Sequence, residues 1–187
     1  VEGLVATTAF LALSDARTGG EVDPATRRGL DHAWAILDKS GTWDDWLQCN
    51  WPPFESDAEY GPTLMLVALG ELREQAKITS LDRRGVRRLT AYLRTSDPVS
   101  LHAKAMRLWA ASHWSKAVAS RQQKVWRSEL LAARNPDGGW SMASLAGPAW
   151  QRDGGESQTV TSEAYPTAFS IYVLIKTGMK PTHTVVR

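Results

Sequence analysis

Apolar residues recur along this chain at intervals of three and four, the period of helices with a buried face. Val1–Leu13 reads as a first helix that ends before Gly19-Gly20. Asp23 followed by Pro24 is an N-cap with proline at the first helical position, opening a helix to about Lys39. Residues 41–57 form a loop with three tryptophans and Pro52-Pro53, and a helix covers Ala58 to about Leu72. Ser80 or Asp82 caps the next, which reaches about Arg94. Ser96-Asp97-Pro98 punctuates the chain before a helix to about Trp114. Ala117–Arg134 follows and stops at Asn135-Pro136-Asp137-Gly138-Gly139. After a loop with Pro148 and Gly154-Gly155, a last helix spans about Ser162–Lys176. Seven helices and no convincing strand predict an all-α fold.

The helices alternate in character. Those near 24–39, 80–94 and 117–134 are amphipathic and basic, whereas those near 58–72, 99–114 and 162–176 are apolar around more of their circumference. Ile171-Tyr172-Val173-Leu174-Ile175 is the clearest stretch. An all-round apolar helix must be covered and an amphipathic one faces water, so inner and outer helices are expected to alternate. Paired motifs support a repeat. Arg27-Arg28-Gly29-Leu30 matches Arg83-Arg84-Gly85-Val86, and Gly41-Thr42-Trp43 matches Gly138-Gly139-Trp140. Ser56-Asp57-Ala58-Glu59-Tyr60 matches Ser162-Glu163-Ala164-Tyr165.

Composition removes several function classes. The 187 residues carry a net charge of +2, from 22 Lys+Arg and 20 Asp+Glu, too little excess to suggest a nucleic-acid binder. Cys49 is the only cysteine, so no intramolecular disulfide forms. No run approaches the ~18 apolar residues of a transmembrane span. Val1–Leu13 lacks a basic leader and a small-residue cleavage pattern, so it is not read as a signal peptide. The chain is expected to be part of a longer polypeptide or a processed product. Nine tryptophans are the compositional outlier.

These residues resemble the squalene–hopene cyclase and terpene cyclase superfamily. Asn135-Pro136-Asp137-Gly138-Gly139-Trp140 resembles its repeat, in which a glutamine precedes Gly-x-Trp. Residues 43–57, Trp-Asp-Asp-Trp-Leu-Gln-Cys-Asn-Trp-Pro-Pro-Phe-Glu-Ser-Asp, and residues 101–109, Leu-His-Ala-Lys-Ala-Met-Arg-Leu-Trp, are similar to a bacterial cyclase-like branch. The resemblance runs from about Asp23 to Gly178. It implies an α/α toroid of helical hairpins, of which seven helices make about half. The remainder of a longer chain or a protein partner would complete it. Three departures stand out: the repeat's glutamine positions hold Leu37 and Arg134, and the Asp-x-Asp-Asp acid motif is missing.

A cyclase of this kind needs an acid that keeps its proton in a dry cavity, and aromatic faces that stabilise cations. By the resemblance, Asp45, Glu55 and Asp57 are weak candidates for the acid. Trp43, Trp46, Trp51, Tyr60, His102, Trp109 and Tyr165 are candidates to line a site for a hydrophobic isoprenoid ligand. The structural alternatives weigh against some of them. Trp43 and Trp140 would wedge hairpins together, and Asp57 and Glu163 would cap helices, the favoured reading for the acids. His102 would either face a ligand or bond a neighbouring helix end, the second being preferred. The basic stretches Arg83, Arg84, Arg87, Arg88 and Arg121, Lys124, Arg127 read most simply as solvated helix faces.

Zinc chemistry of the related prenyltransferases is not expected, because Cys49 lacks the Asp-x-Cys pattern and His32, His102, His113 and His183 are scattered. No cofactor is implied. Three functions remain open. A non-catalytic module that binds a hydrophobic ligand or acts as a scaffold stands slightly ahead. An interaction subunit docking through apolar helices, and a portion of an active class II terpene cyclase with its acid motif outside this chain, are the alternatives.

Overall fold

A computed structural model describes residues 1–19, 21–43, 58–75, 77–146 and 160–185. Among them the chain is helical, with eight helices and no strand. They are α1 (Glu2–Thr18), α2 (Pro24–Ala35), α3 (Tyr60–Glu74), α4 (Ser80–Thr95), α5 (Leu101–His113), α6 (Ser120–Ala132), α7 (Met142–Leu145) and α8 (Ala164–Lys176). The all-α expectation holds, with several corrections. α7 is a single turn within a stretch read as loop, held by the capping pair Ser141 and Ser144. α1 extends past Leu13 until Gly19 takes a left-handed conformation, φ 73°. α2 stops at Ala35, short of Lys39.

Capping also differs in detail. Thr79, rather than Ser80 or Asp82, caps α4, and Asp82 is the returning member of its capping box. Glu163 occupies the N-cap position of α8 without a side-chain bond to that helix. Its longer side chain instead accepts from Met142 N at 2.6 Å, at the start of α7. Asp57 lies outside the described residues.

Helix contacts follow the alternation read from the sequence. α1 packs on α3, α3 on α5 and α5 on α8, while α2, α4 and α6 pack on α1, α3 and α5 respectively. Twelve of the fifteen residues of α3 are buried, as a helix flanked on both sides by the same row must be. α8 departs from its apolar sequence. Only Pro166, Phe169, Ser170, Val173 and Leu174 are buried, because α8 ends the row and packs chiefly on α5.

The repeat is visible bond by bond after α2 and α6. Asp38 N donates to Thr42 O at 2.9 Å and Gly41 N to Asp38 O at 3.0 Å. In the second copy, Asn135 N donates to Gly139 O at 2.8 Å and Gly138 N to Asn135 O at 2.9 Å. Both turns require positive φ, 91° at Gly41 and 96° at Gly138, which explains glycine at each. Two residues later a buried tryptophan reaches back to its helix. Trp43 Nε1 donates to Ala33 O at 3.1 Å, and Trp140 Nε1 to Leu130 O at 2.8 Å. Each acceptor is the third residue from its helix end, where backbone carbonyls lack an intrahelical partner. Both tryptophans are thus buried and tied to the outer helix that each follows.

Two buried carboxylates hold the rows together. Asp82, with no exposed surface, accepts from Arg27 Nη1 and Nη2 at 2.9 and 2.6 Å and from Trp34 Nε1 at 2.9 Å. Burial alone would raise its pKa, but Arg27, the Thr79 backbone and Trp34 together hold it below the usual carboxylate value. Glu59, just before α3, is gripped by Arg107 of α5 through Nε at 2.9 Å and through Nη2. Arg107 also donates to Leu93 O at 2.6 Å and Ser96 Oγ at 2.9 Å.

Trp140→Phe keeps the bulk and leaves the Leu130 carbonyl unpaired, so urea unfolding should show a loss of about 1–3 kcal/mol. Arg107→Met removes the guanidinium that grips the buried Glu59 carboxylate and should cost about 3–5 kcal/mol by the same measurement. Equal stability of either variant with wild type would contradict the bonding described.

Candidate functional site

Five rings converge where α5 meets α8. His102 and Trp109 stand seven residues apart on α5, while Tyr165, Phe169 and Tyr172 occupy successive turns of α8. That spacing places each set on one helix face. The His102 and Phe169 ring centroids are 4.9 Å apart, and Tyr165 stacks on Phe169 at 5.7 Å with planes 5° apart. Trp109 presents an edge to Phe169 at 6.4 Å and to Tyr172 at 5.1 Å. Such offset and edge contacts suit the ring quadrupoles.

His102 is fully buried, and Nε2 lies 2.9 Å from Tyr165 Oη. Tyr165 is the second residue of α8, so the contact links α5 to the first turn of α8. Burial pushes the imidazole down to about 3 and the Tyr165 phenol up, so both groups are neutral near pH 7. Tyr165 keeps 39% of its surface exposed, which gives the cluster a face open to solvent. Trp109 Nε1 is buried and donates to nothing among the described residues. At the far end of the cluster, Lys176 sits 5.7 Å from the Tyr172 ring and 3.5 Å from Glu71.

The structure thus brings together three sequence candidates, His102, Trp109 and Tyr165. Phe169 and Tyr172 complete the group; their spacing from Tyr165 was the available signal, hidden inside a helix read as generally apolar. Trp43 is committed elsewhere, stacked on Trp34 at 6.2 Å with its N–H on Ala33. Tyr60, the first residue of α3, is buried in the main core. Asp45, Trp46, Trp51, Glu55 and Asp57 lie outside the described residues, as does Cys49.

The rings pack on one another between α5 and α8, with Tyr165 at the exposed edge. A proton donor for an alkene is a different matter. Asp82 is held ionised below the ordinary carboxylate range, and Glu59 is locked by two guanidinium nitrogens. Among the described residues no group of three or more His, Cys, Asp or Glu side chains could hold a metal. No helix there is long and apolar enough to cross a membrane.

Compared with protein-family models, curated proteins and solved structures, the chain finds no match in any of the three.

The neutral histidine carries a pH signature. Unfolded, His102 takes up a proton near pH 6.5; folded, it does so only near pH 3. The unfolded state therefore binds more protons between those values, and stability falls as pH drops from about 6.5 toward about 3. Urea midpoints measured between about pH 7 and about pH 5 should fall less steeply in His102→Phe than in wild type. Identical slopes would place the His102 proton affinity near its ordinary value.

Proposed function

We propose that this chain is a portion of an α/α toroid of the squalene–hopene cyclase type, acting as a non-catalytic module that binds a hydrophobic isoprenoid-like ligand. The observation carrying this reading is the ring cluster of His102, Trp109, Tyr165, Phe169 and Tyr172, with Phe169 at its centre and a neutral histidine beside it. Removing ~200 Å² of apolar ligand surface from water against such rings is worth roughly 5 kcal/mol before the costs of association. The Trp109 N–H, with no acceptor among the described residues, suits a ligand with one acceptor oxygen, since burying that donor unpaired is costly. Support for the toroid comes from the row of packed helices and the duplicated Gly-x-Trp turn. The cyclase resemblance itself rests on the residues alone.

The absent Asp-x-Asp-Asp motif and the arginine-bound state of Asp82 and Glu59 favour binding over turnover. A second reading has its own observation. Phe10 and Leu11 of α1 are 50% and 42% exposed, at the opposite end of the row from α8. An apolar helix face of this kind suits docking to a protein partner or to further chain that completes a toroid.

Titration of squalene into the protein should shift tryptophan fluorescence saturably, and Trp109→Ala should weaken that binding by ~10-fold or more. No saturable shift in the folded wild-type protein would remove the ligand-binding reading. Cyclised product on gas chromatography would replace it with the cyclase alternative. A stable complex formed through α1 without squalene binding would favour docking.

A further inference from the structure

The face of α4 that points away from Asp82 carries an unusual concentration of charge. A groove of about 570 Å³ is lined there by Arg73, Arg83, Arg87, Arg94, Lys116 and Trp114. Among the described residues no carboxylate lines it. Arg83 and Arg87 are one turn apart and Arg94 lies two turns beyond, so the three form a single stripe. Like charges at this spacing repel, and a face serving only solubility would intersperse both signs.

Other arginines of the outer helices are engaged elsewhere, while Arg84, Arg121 and Lys124 stay exposed as the solvated reading expects. Arg27 is bound to Asp82. Arg88 donates to Leu37 O and Asp38 O just past α2, and Arg127 to Thr177 O at the end of α8. Helix-end carbonyls attract cations, so these two have structural employment. Arg83, Arg87, Arg94 and Lys116 form no ion pair with any described residue. Their charge is therefore local and uncompensated in a chain whose net charge is only +2.

One wall of the groove is already set. The Arg73 guanidinium lies 4.2 Å from the Trp114 ring centroid and donates through Nη2 to His113 O at 2.7 Å. Trp114 is in turn fixed by its Nε1 bond to Leu66 O at 2.7 Å. A guanidinium stacked in this way loses little freedom when it meets an anion, and its remaining N–H groups match the spacing of phosphate oxygens.

We infer that this groove binds a phosphate-bearing anion of about the size of a diphosphate, seated between Arg73 and the Arg83–Arg87 turn. Arg94 and Lys116 flank it and raise the local anion concentration. The site stands apart from the aromatic cluster and does not depend on it. A soluble phosphate ester and the headgroup of an acidic lipid share this chemistry.

The test uses inorganic pyrophosphate in calorimetric titrations, and phosphatidylcholine vesicles with or without phosphatidic acid in co-sedimentation. R83Q/R87Q is compared with R121Q/K124Q, which removes equal charge from α6; circular dichroism verifies that both fold. Saturable pyrophosphate binding, weakened ~10-fold or more by R83Q/R87Q alone, supports the site and a soluble ester as ligand. Co-sedimentation with phosphatidic acid vesicles that R83Q/R87Q abolishes, without pyrophosphate binding, supports it with a lipid headgroup as the source. Binding of neither probe, or equal weakening by the two double variants, overturns it.

Discussion

A tryptophan indole bonded to a carbonyl near the end of its own hairpin's outer helix is the constraint on which this fold depends. Helix ends expose carbonyls that need partners, and the chain must reverse direction immediately afterwards. The glycine turn performs the reversal and brings the indole back over the helix it has just left. The indole then satisfies the carbonyl and fills the wedge between helices, so one residue completes both tasks. Because the same bonds recur after α2 and α6, the helix row is built from a repeated solution. In the second copy Trp140 goes further: its backbone exchanges bonds with Thr167 and Glu163, tying the end of α6 to the start of α8.

Much of this was legible beforehand. The helices, their alternation and the paired glycine–tryptophan turns leave strong local signals, because periodicity and positive-φ glycine are local properties. Boundaries were less accessible. α1 outran its apolar stretch because Ala16 continues the buried face of the helix while Ser14 and Arg17 stay exposed. Glu163 looked like a cap by position, yet a glutamate side chain can reach past its own helix to a neighbour. The apolar run in α8 predicted burial all round, but sequence cannot say which helix ends a row.

The site was legible only in part, for a similar reason. His102, Trp109 and Tyr165 drew attention as aromatic or titratable residues in a resemblance to cyclases, and they do meet. Phe169 and Tyr172 looked like ordinary core. Glu59 and Arg107 form a buried ion pair across residues 48 apart, and no local pattern announces such a partnership. The basic stretches look uniform in sequence, yet Arg88 and Arg127 finish helix ends, Arg83, Arg87 and Arg94 line one groove, and Arg84 and Arg121 are simply exposed. That division depends on which carbonyl lies within reach, a tertiary fact.

Asp82 has a consequence for the order in which the molecule assembles. Helical-hairpin arrays commonly fold unit by unit, each repeat consolidating on its neighbour with some independence. Here the carboxylate that completes the first turn of α4 also receives two bonds from Arg27 and one from Trp34, both on α2. The same carboxylate thus serves the cap of α4 and the link to α2, although a long connection and the whole of α3 separate the two helices. The first two hairpins are thereby welded into one cooperative unit, and partial unfolding should begin at the α8 end of the row rather than between them.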